Sequence, residues 1–172
     1  MAIVTTTGHI DNALRFASLA GRLYIGVGKS DNDVNEGVPE DVDATGLDTV
    51  IGVKRPSTVS LAYLVPEGTD PMPSKVIHYQ GKTYALCNAR DAYEKKGRFV
   101  YLSTLIKSDD FGAFKYDQVG LYKDVQFKPS VTGDAIKPEN ITNYGDFLAY
   151  ENRKLISSQQ GINIEEQMIF EC

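Results

Sequence analysis

The sequence predicts a mainly β fold of the α+β type: an antiparallel, β-rich single domain over residues 1–172, with one short N-terminal helix and long polar loops. Three observations carry this reading. Only one segment, near the N-terminus, spaces its apolar residues at the period of a helix. The remaining apolar runs are mostly short, β-branched or aromatic, and several alternate with polar residues as half-buried strands do. Between them lie stretches dense in Gly, Pro, Asn and Asp in which no period survives.

In chain order, Ile10, Ala13, Leu14, Ala17 and Leu19 recur near helical spacing, with Thr6 or Thr7 available as a cap and Gly21 just past the end. After Gly21 the period changes, and Leu23, Ile25 and Val27 share one face of a strand. An exposed loop of about sixteen residues follows, longer than the usual connection. Residues 47–53 and 58–65 read as two strands separated by Lys54, Arg55 and Pro56. In residues 75–87 two alternating arms flank Gln80 and Gly81, so a tight hairpin sets Ile77 opposite Tyr84 and Tyr79 opposite Lys82. Residues 88–97 can form a single helical turn before a strand over 98–106. An aromatic-rich turn then leads into another strand, ahead of a long irregular excursion over 126–145 that contains two prolines. Two strands near the C-terminus complete the set. In the last, Ile162, Ile164, Met168, Phe170 and Cys172 share one face, and Glu166 interrupts it.

Composition sets the broad class. A chain of 172 residues with 42% hydrophobic and 24% charged side chains is an ordinary folded globule. At that size roughly 70% of the unfolded surface is buried without help from disulfides or metals. Cys87 and Cys172 stand far apart in no metal spacing and are expected to be free thiols, which suits a reducing compartment. The N-terminus lacks the pattern of a signal peptide, and no apolar stretch is long enough to span a membrane, so no membrane insertion is expected. The net charge of −5, with no basic stripe, argues against nucleic acid as a partner.

That charge is concentrated. Asp31, Asp33, Glu36, Glu40, Asp41, Asp43 and Asp48 fall in one stretch with no basic residue, and without these seven negative charges the rest of the chain is at +2. A solvated loop or a surface that meets a basic protein is the expectation.

Motifs that suggest chemistry do not complete. Gly26-Val27-Gly28-Lys29-Ser30 resembles the end of a phosphate-binding loop, but the glycine required five positions before Gly28 is Leu23, and an acidic loop follows where a helix should start. Asp31, Asp33 and Asn35 have the alternate spacing of a calcium loop, but Glu36 takes the place of its glycine and Val42 that of its bidentate glutamate. His9 and His78 form no metal-ligand pair, and no nucleophile elbow is present. No cofactor is indicated. Tyr101, Phe111, Phe114, Tyr116 and Tyr122 are explained by sheet packing, with partner contact as the alternative use of tyrosine.

Three blocks together carry a resemblance. They are RLYIGVGKSD near the start, FVYLSTLIKSDDFGAFKYDQVGLYKDV in the middle and GDFLAYENRKLISSQQGINIEEQMIFEC at the end. In order and spacing they resemble virion proteins of contractile-tailed bacteriophages, in particular baseplate wedge subunits and tail-fibre attachment domains. The matching positions are Tyr24, Ile25, Gly28, Lys29 and Ser30, then Gly145, Asp146, Phe147, Leu148, Tyr150, Glu151, Asn152 and Arg153. Where that family commonly reads Arg-Arg-Pro after the Asn, this chain has Arg153, Lys154 and Leu155.

The resemblance implies a structural, non-enzymatic subunit of the virion tail baseplate, assembled in the host cytoplasm and rearranging on host contact. Its partners would be other baseplate and tail-fibre proteins in a six-fold or multi-copy assembly, with self-association open. The acidic residues above and Arg153 are the candidate interface positions. A receptor-facing module that binds carbohydrate or calcium is the alternative.

Overall fold

The computed structural model describes residues 2–31, 40–71, 74–159 and 161–172. In chain order the elements are α1 (Thr6–Ala17), β1 (Leu23–Lys29), β2 (Thr49–Lys54), β3 (Thr58–Leu64), β4 (Val76–Tyr79), β5 (Lys82–Cys87), β6 (Phe99–Ile106), β7 (Phe114–Lys123), β8 (Gln126–Phe127), β9 (Ala135–Ile136), β10 (Ile141–Asn143), β11 (Asp146–Ser158) and β12 (Ile164–Glu171). The described residues are strand-rich and antiparallel with one α-helix among them, as the periodicity predicts. Among the described residues no helix is long and apolar enough to cross a membrane. Two compact units can be distinguished, Met1–Ala20 with Ser57–Ser103 and Gln167–Cys172, and Gly21–Pro56 with Thr104–Glu166.

The first unit holds α1 and most of a sheet ordered β12-β6-β3-β5-β4. The helix is capped by Thr5, one residue earlier than predicted. Thr5 still has extended backbone, and its hydroxyl accepts the Gly8 N–H at 3.2 Å, whereas Thr6 and Thr7 already lie within the first turn. The helix ends at Ala17, so Leu19 and Gly21 fall beyond it. Ile10 and Ala13 are its buried positions, and Phe16 meets Phe170 edge-on at 4.8 Å. Ala62, Ile77, Tyr84, Phe99, Tyr101 and Ile169 form the apolar core. Both cysteines, Cys87 and Cys172, are free thiols, and burial pushes each above its ordinary pKa, Cys172 to about 11.

The β4–β5 hairpin has the predicted register, Ile77 opposite Tyr84 and Tyr79 opposite Lys82. Gln80 and Gly81 both have positive φ, 47° and 74°, which is the twist a two-residue hairpin loop of type I′ requires. Residues 88–97 make a single helical turn, closed by the Lys95 N–H on the Asp91 carbonyl at 2.9 Å.

The second unit is built on the sheet β11-β7-β1-β2-β9, with the short ladder β10-β8 beside it in sequence. β1 is the central strand, paired with β7 on one side and β2 on the other, and it is buried along almost its whole length, Tyr24 included, which packs in a cluster with Leu47, Val53 and Tyr122. A strand covered on both faces loses the alternation of a half-exposed one. Although they follow one another closely in sequence, β2 and β3 are not paired: β2 joins β1 and β9, while β3 joins β5 and β6. The excursion over 126–145 is not wholly irregular, since β8, β9 and β10 lie in it together with a one-turn 3-10 helix at Pro138–Asn140.

Gly26 pairs with Gly120 across β1 and β7. A Cβ at Gly26 would come within 2.7 Å of the Tyr122 ring, and one at Gly120 within 2.7 Å of Phe147 and 2.9 Å of Leu47. The glycines are therefore a floor for large side chains. Gly28 is crowded in the same way, its Cβ position 2.9 Å from Leu47 and from the Thr49 carbonyl. That crowding accounts for the glycines that suggest a phosphate loop.

Left-handed backbone at a non-glycine residue carries a steric cost that Asn tolerates better than Gln. Gln80→Asn is expected to stabilise the chain by a few tenths to about 1 kcal/mol. Urea unfolding of the two proteins checks it, with the midpoint moving upward at unchanged slope.

Candidate functional site

The acidic segment is held by its backbone. Leu47 is buried among Tyr24, Val53, Tyr122, Val125 and Ile136, and its N–H donates to the Tyr122 hydroxyl at 3.0 Å. Tyr122 belongs to a row of aromatic rings, with Tyr144 at 5.7 Å, Phe147 at 4.9 Å and Tyr150 at 5.6 Å beyond Phe147. The hydroxyl of Tyr150 accepts the N–H of Asp41. Two tyrosines thus pack their rings on the glycine floor or along β11 and turn their polar tips to the loop, the amphipathic use to which tyrosine is suited.

Gln118, almost fully buried in β7, ties the same segment from below. Its carbonyl accepts the Asp48 N–H at 3.0 Å and its amide donates to Asn152 Oδ1 at 3.1 Å. The Asn152 N–H in turn donates to Glu40 Oε1 at 3.1 Å.

Of the predicted acidic positions, Asp31, Glu40, Asp41, Asp43 and Asp48 are exposed. Asp33 and Glu36, with Asn35, lie outside the described residues. Asp48 Oδ2 accepts the Asp31 N–H at 3.1 Å, Asp31 Oδ1 accepts the Thr49 hydroxyl at 3.3 Å, and Asp41 Oδ1 accepts the Asp43 N–H at 2.9 Å. Each of these bonds uses one carboxylate oxygen and leaves the charge at the surface. Among the described residues no group of three or more His, Cys, Asp or Glu side chains is placed to hold a metal ion.

Arg153 sits where β11 bulges. Between Asn152 and Ile156 that strand advances four residues while β7 advances two, from Gln118 to Tyr116. From there Arg153 reaches Glu166, which is only 2% exposed, and donates through Nε and Nη2 to Glu151 Oε2 at 3.1 and 3.0 Å. The Tyr116 hydroxyl donates to the other oxygen of Glu166. Desolvation, and then the charge of Glu166, hold the Tyr116 hydroxyl well above the usual tyrosine pKa. Burial pushes Tyr122 up to about 12.

Ser30 has a comparable role. Its N–H and hydroxyl both donate to the buried carboxylate of Asp117, each at 2.7 Å. In β2 the buried Lys54 meets Asp110, with Asp134 at 3.8 Å. The serine that ends the phosphate-loop likeness is thus occupied in holding the end of β1 to β7. Nothing local in the sequence ties Tyr122, Tyr150, Gln118 and Asn152 to the loop, because each reaches it from a strand distant along the chain. Glu166 is the visible signal, a charge on an otherwise apolar face.

Charged and polar groups are used here to join strands and to pin a loop whose described acidic residues remain at the surface. The chain belongs to the baseplate wedge 3 tail fiber network component family, whose model matches residues 1–172. It is similar to virion protein 3 of Enterococcus phage phiEF24C, 28% identical over 173 residues that cover 98% of this chain and 94% of that protein. The likeness of the three sequence blocks is borne out, and the chain is a structural protein of a phage tail.

Two outcomes follow from the buried groups. Arg153→Met leaves Glu166 charged and unmatched and is expected to cost about 3–5 kcal/mol, part of which the double variant Arg153→Met/Glu166→Gln recovers. Chemical denaturation of the three proteins measures this. Because the folded-state pKa values of Tyr116 and Tyr122 exceed the unfolded value of 10.0, the unfolded chain loses these protons first. Stability is then full below pH 10 and falls above it, by up to about 1.4 kcal/mol per pH unit for each tyrosine. Unfolding curves collected across this alkaline range should show the fall, and Tyr116→Phe should make it shallower.

Proposed function

We propose that this chain is a wedge-type, non-enzymatic subunit of a contractile tail baseplate that links baseplate and tail-fibre proteins. It is built into the tail in the host cytoplasm, in a six-fold or multi-copy arrangement, and rearranges on host contact. The family match along all 172 residues is the observation that carries this reading. The acidic stretch, from Asp31 and Asp33 through Glu36, Glu40, Asp41 and Asp43 to Asp48, is its contact with a basic neighbour. Arg153 serves the same contact by fixing the strand against which Glu40 and Asp41 rest. Support comes from the concentration of charge in a segment held at Asp31, Glu40, Asp41 and Asp48, whose described carboxylates belong to exposed residues. A held segment loses less conformational freedom on binding than a loose one, which favours recognition.

The test neutralises Asp31, Asp33, Asp41 and Asp43 together as Asn. Asn keeps the carbonyl acceptor that Asp31 and Asp41 use, so the fold should be retained, with an unchanged circular dichroism melt. Four rim charges worth about 0.3–0.5 kcal/mol each amount to roughly a tenfold loss of incorporation into tails at physiological salt. Incorporation at the wild-type level would show that the segment is only solvated.

A further inference from the structure

Among the described residues of the acidic segment, Val42 does not suit a merely solvated loop. Val42 is 96% exposed, between Asp41 and Asp43, and the Asp41 N–H beside it is fixed on Tyr150. An aliphatic side chain is thus presented to solvent on an anchored acidic turn.

The first unit carries a surface of complementary character. A groove of about 370 Å³ is walled by Tyr63, Leu64, Pro66 and Phe99, with Leu64 42% exposed. Lys95, Lys96 and Arg98 stand on its rim together with Glu94, and Arg98 is ion-paired with Glu171 at 2.9 Å. Lys95 lies over the Tyr63 ring at 5.7 Å and Arg98 over the Phe99 ring at 5.4 Å, so the cations are set directly against the apolar walls. Lys96 occupies a left-handed position, φ 55°, and the Gly97 N–H bonds back to the Ala92 carbonyl at 2.7 Å, which holds the basic turn in shape.

We infer that the groove receives residues 40–43 of a second copy of this chain, Val42 entering between the aromatic walls and Glu40, Asp41 and Asp43 meeting Lys95, Lys96 and Arg98. The inference rests on the reading above that the acidic segment meets a basic neighbour, and it names that neighbour. Charge complementarity supports a second copy: the segment 31–48 carries seven negative charges and the remainder of the same chain is at +2, with Lys95 and Lys96 on this rim beside Glu94 and an Arg98 that Glu171 already partly neutralises. Both partners in the match, the exposed valine and the open apolar groove, belong to one sequence. The two surfaces differ, so the contact either repeats head to tail, giving a ring or an extending chain of copies, or is exchanged reciprocally within a two-fold pair.

The experiment places the photo-crosslinking amino acid p-benzoylphenylalanine at position 42 of the full-length chain, supplied during phage growth, and identifies crosslinked peptides in purified particles. Because Val42 is exposed, the substitution leaves packing untouched. The expected product has twice the mass of the chain and joins residue 42 to residues 63–66 or 94–99 of another copy. Asp41→Lys/Asp43→Lys in the labelled chain should abolish that product, and Lys95→Glu/Lys96→Glu in the same chain should restore it. A product with a different protein, or none in particles that contain the labelled chain, would overturn the inference. In that case the tail incorporation of the four-Asn variant decides separately whether the acidic segment is an interface at all.

Discussion

A carboxylate withdrawn from water must be matched by charge and hydrogen bonds, and Glu166 is where this chain meets that constraint. Its two oxygens are taken by the guanidinium of Arg153 and the hydroxyl of Tyr116, which come from β11 and β7. Three strands are therefore fixed at one point, and the bulge in β11 is the local distortion that lets Arg153 arrive there. Glu151, also bonded to Arg153, limits how the guanidinium can turn. The cost of leaving any member unmatched makes the arrangement specific, whatever its net contribution to stability.

The position of β11 determines what the acidic segment can do. Tyr150 and Asn152, immediately before Arg153, bind the loop at Asp41 and Glu40, while Tyr122 and Gln118 of β7 bind it at Leu47 and Asp48. The glycine pair Gly26 and Gly120 provides the depth in which the Tyr122 and Phe147 rings lie. Small residues in the central strands and large ones above them thus hold the described part of the loop, residues 40–48, at Glu40, Asp41, Leu47 and Asp48. The same demand for space explains why a glycine-containing strand next to Lys29 and Ser30 resembles a nucleotide motif while its serine is bonded to Asp117.

Much of the strand order along the chain was legible because sheet periodicity is local. The Gln80-Gly81 hairpin was legible in register as well, since a two-residue turn leaves few choices. What could not be read was decided by distant residues. Residues 49–54 and 58–64 look like consecutive strands, yet each pairs elsewhere, a long-range choice that neither run encodes. Thr5 gains the helix cap because of where the backbone turns, not because it is a better capping residue than Thr6. Glu166 was conspicuous as a charge on an apolar face, but its partner required the bulge at Arg153, and the tyrosines that anchor the loop looked like ordinary core residues. The acidic stretch was plain in composition, whereas the way it is held was not.

We propose that a buried ionic joint and a row of tyrosines present an acidic edge for assembly in a phage tail. A cryo-EM map of the intact tail, resolved well enough to trace side chains, tests this most directly. The account predicts residues 40–43 covered by a basic surface, with Arg153 and Tyr116 still on Glu166. An acidic segment facing open solvent around the whole baseplate would contradict it.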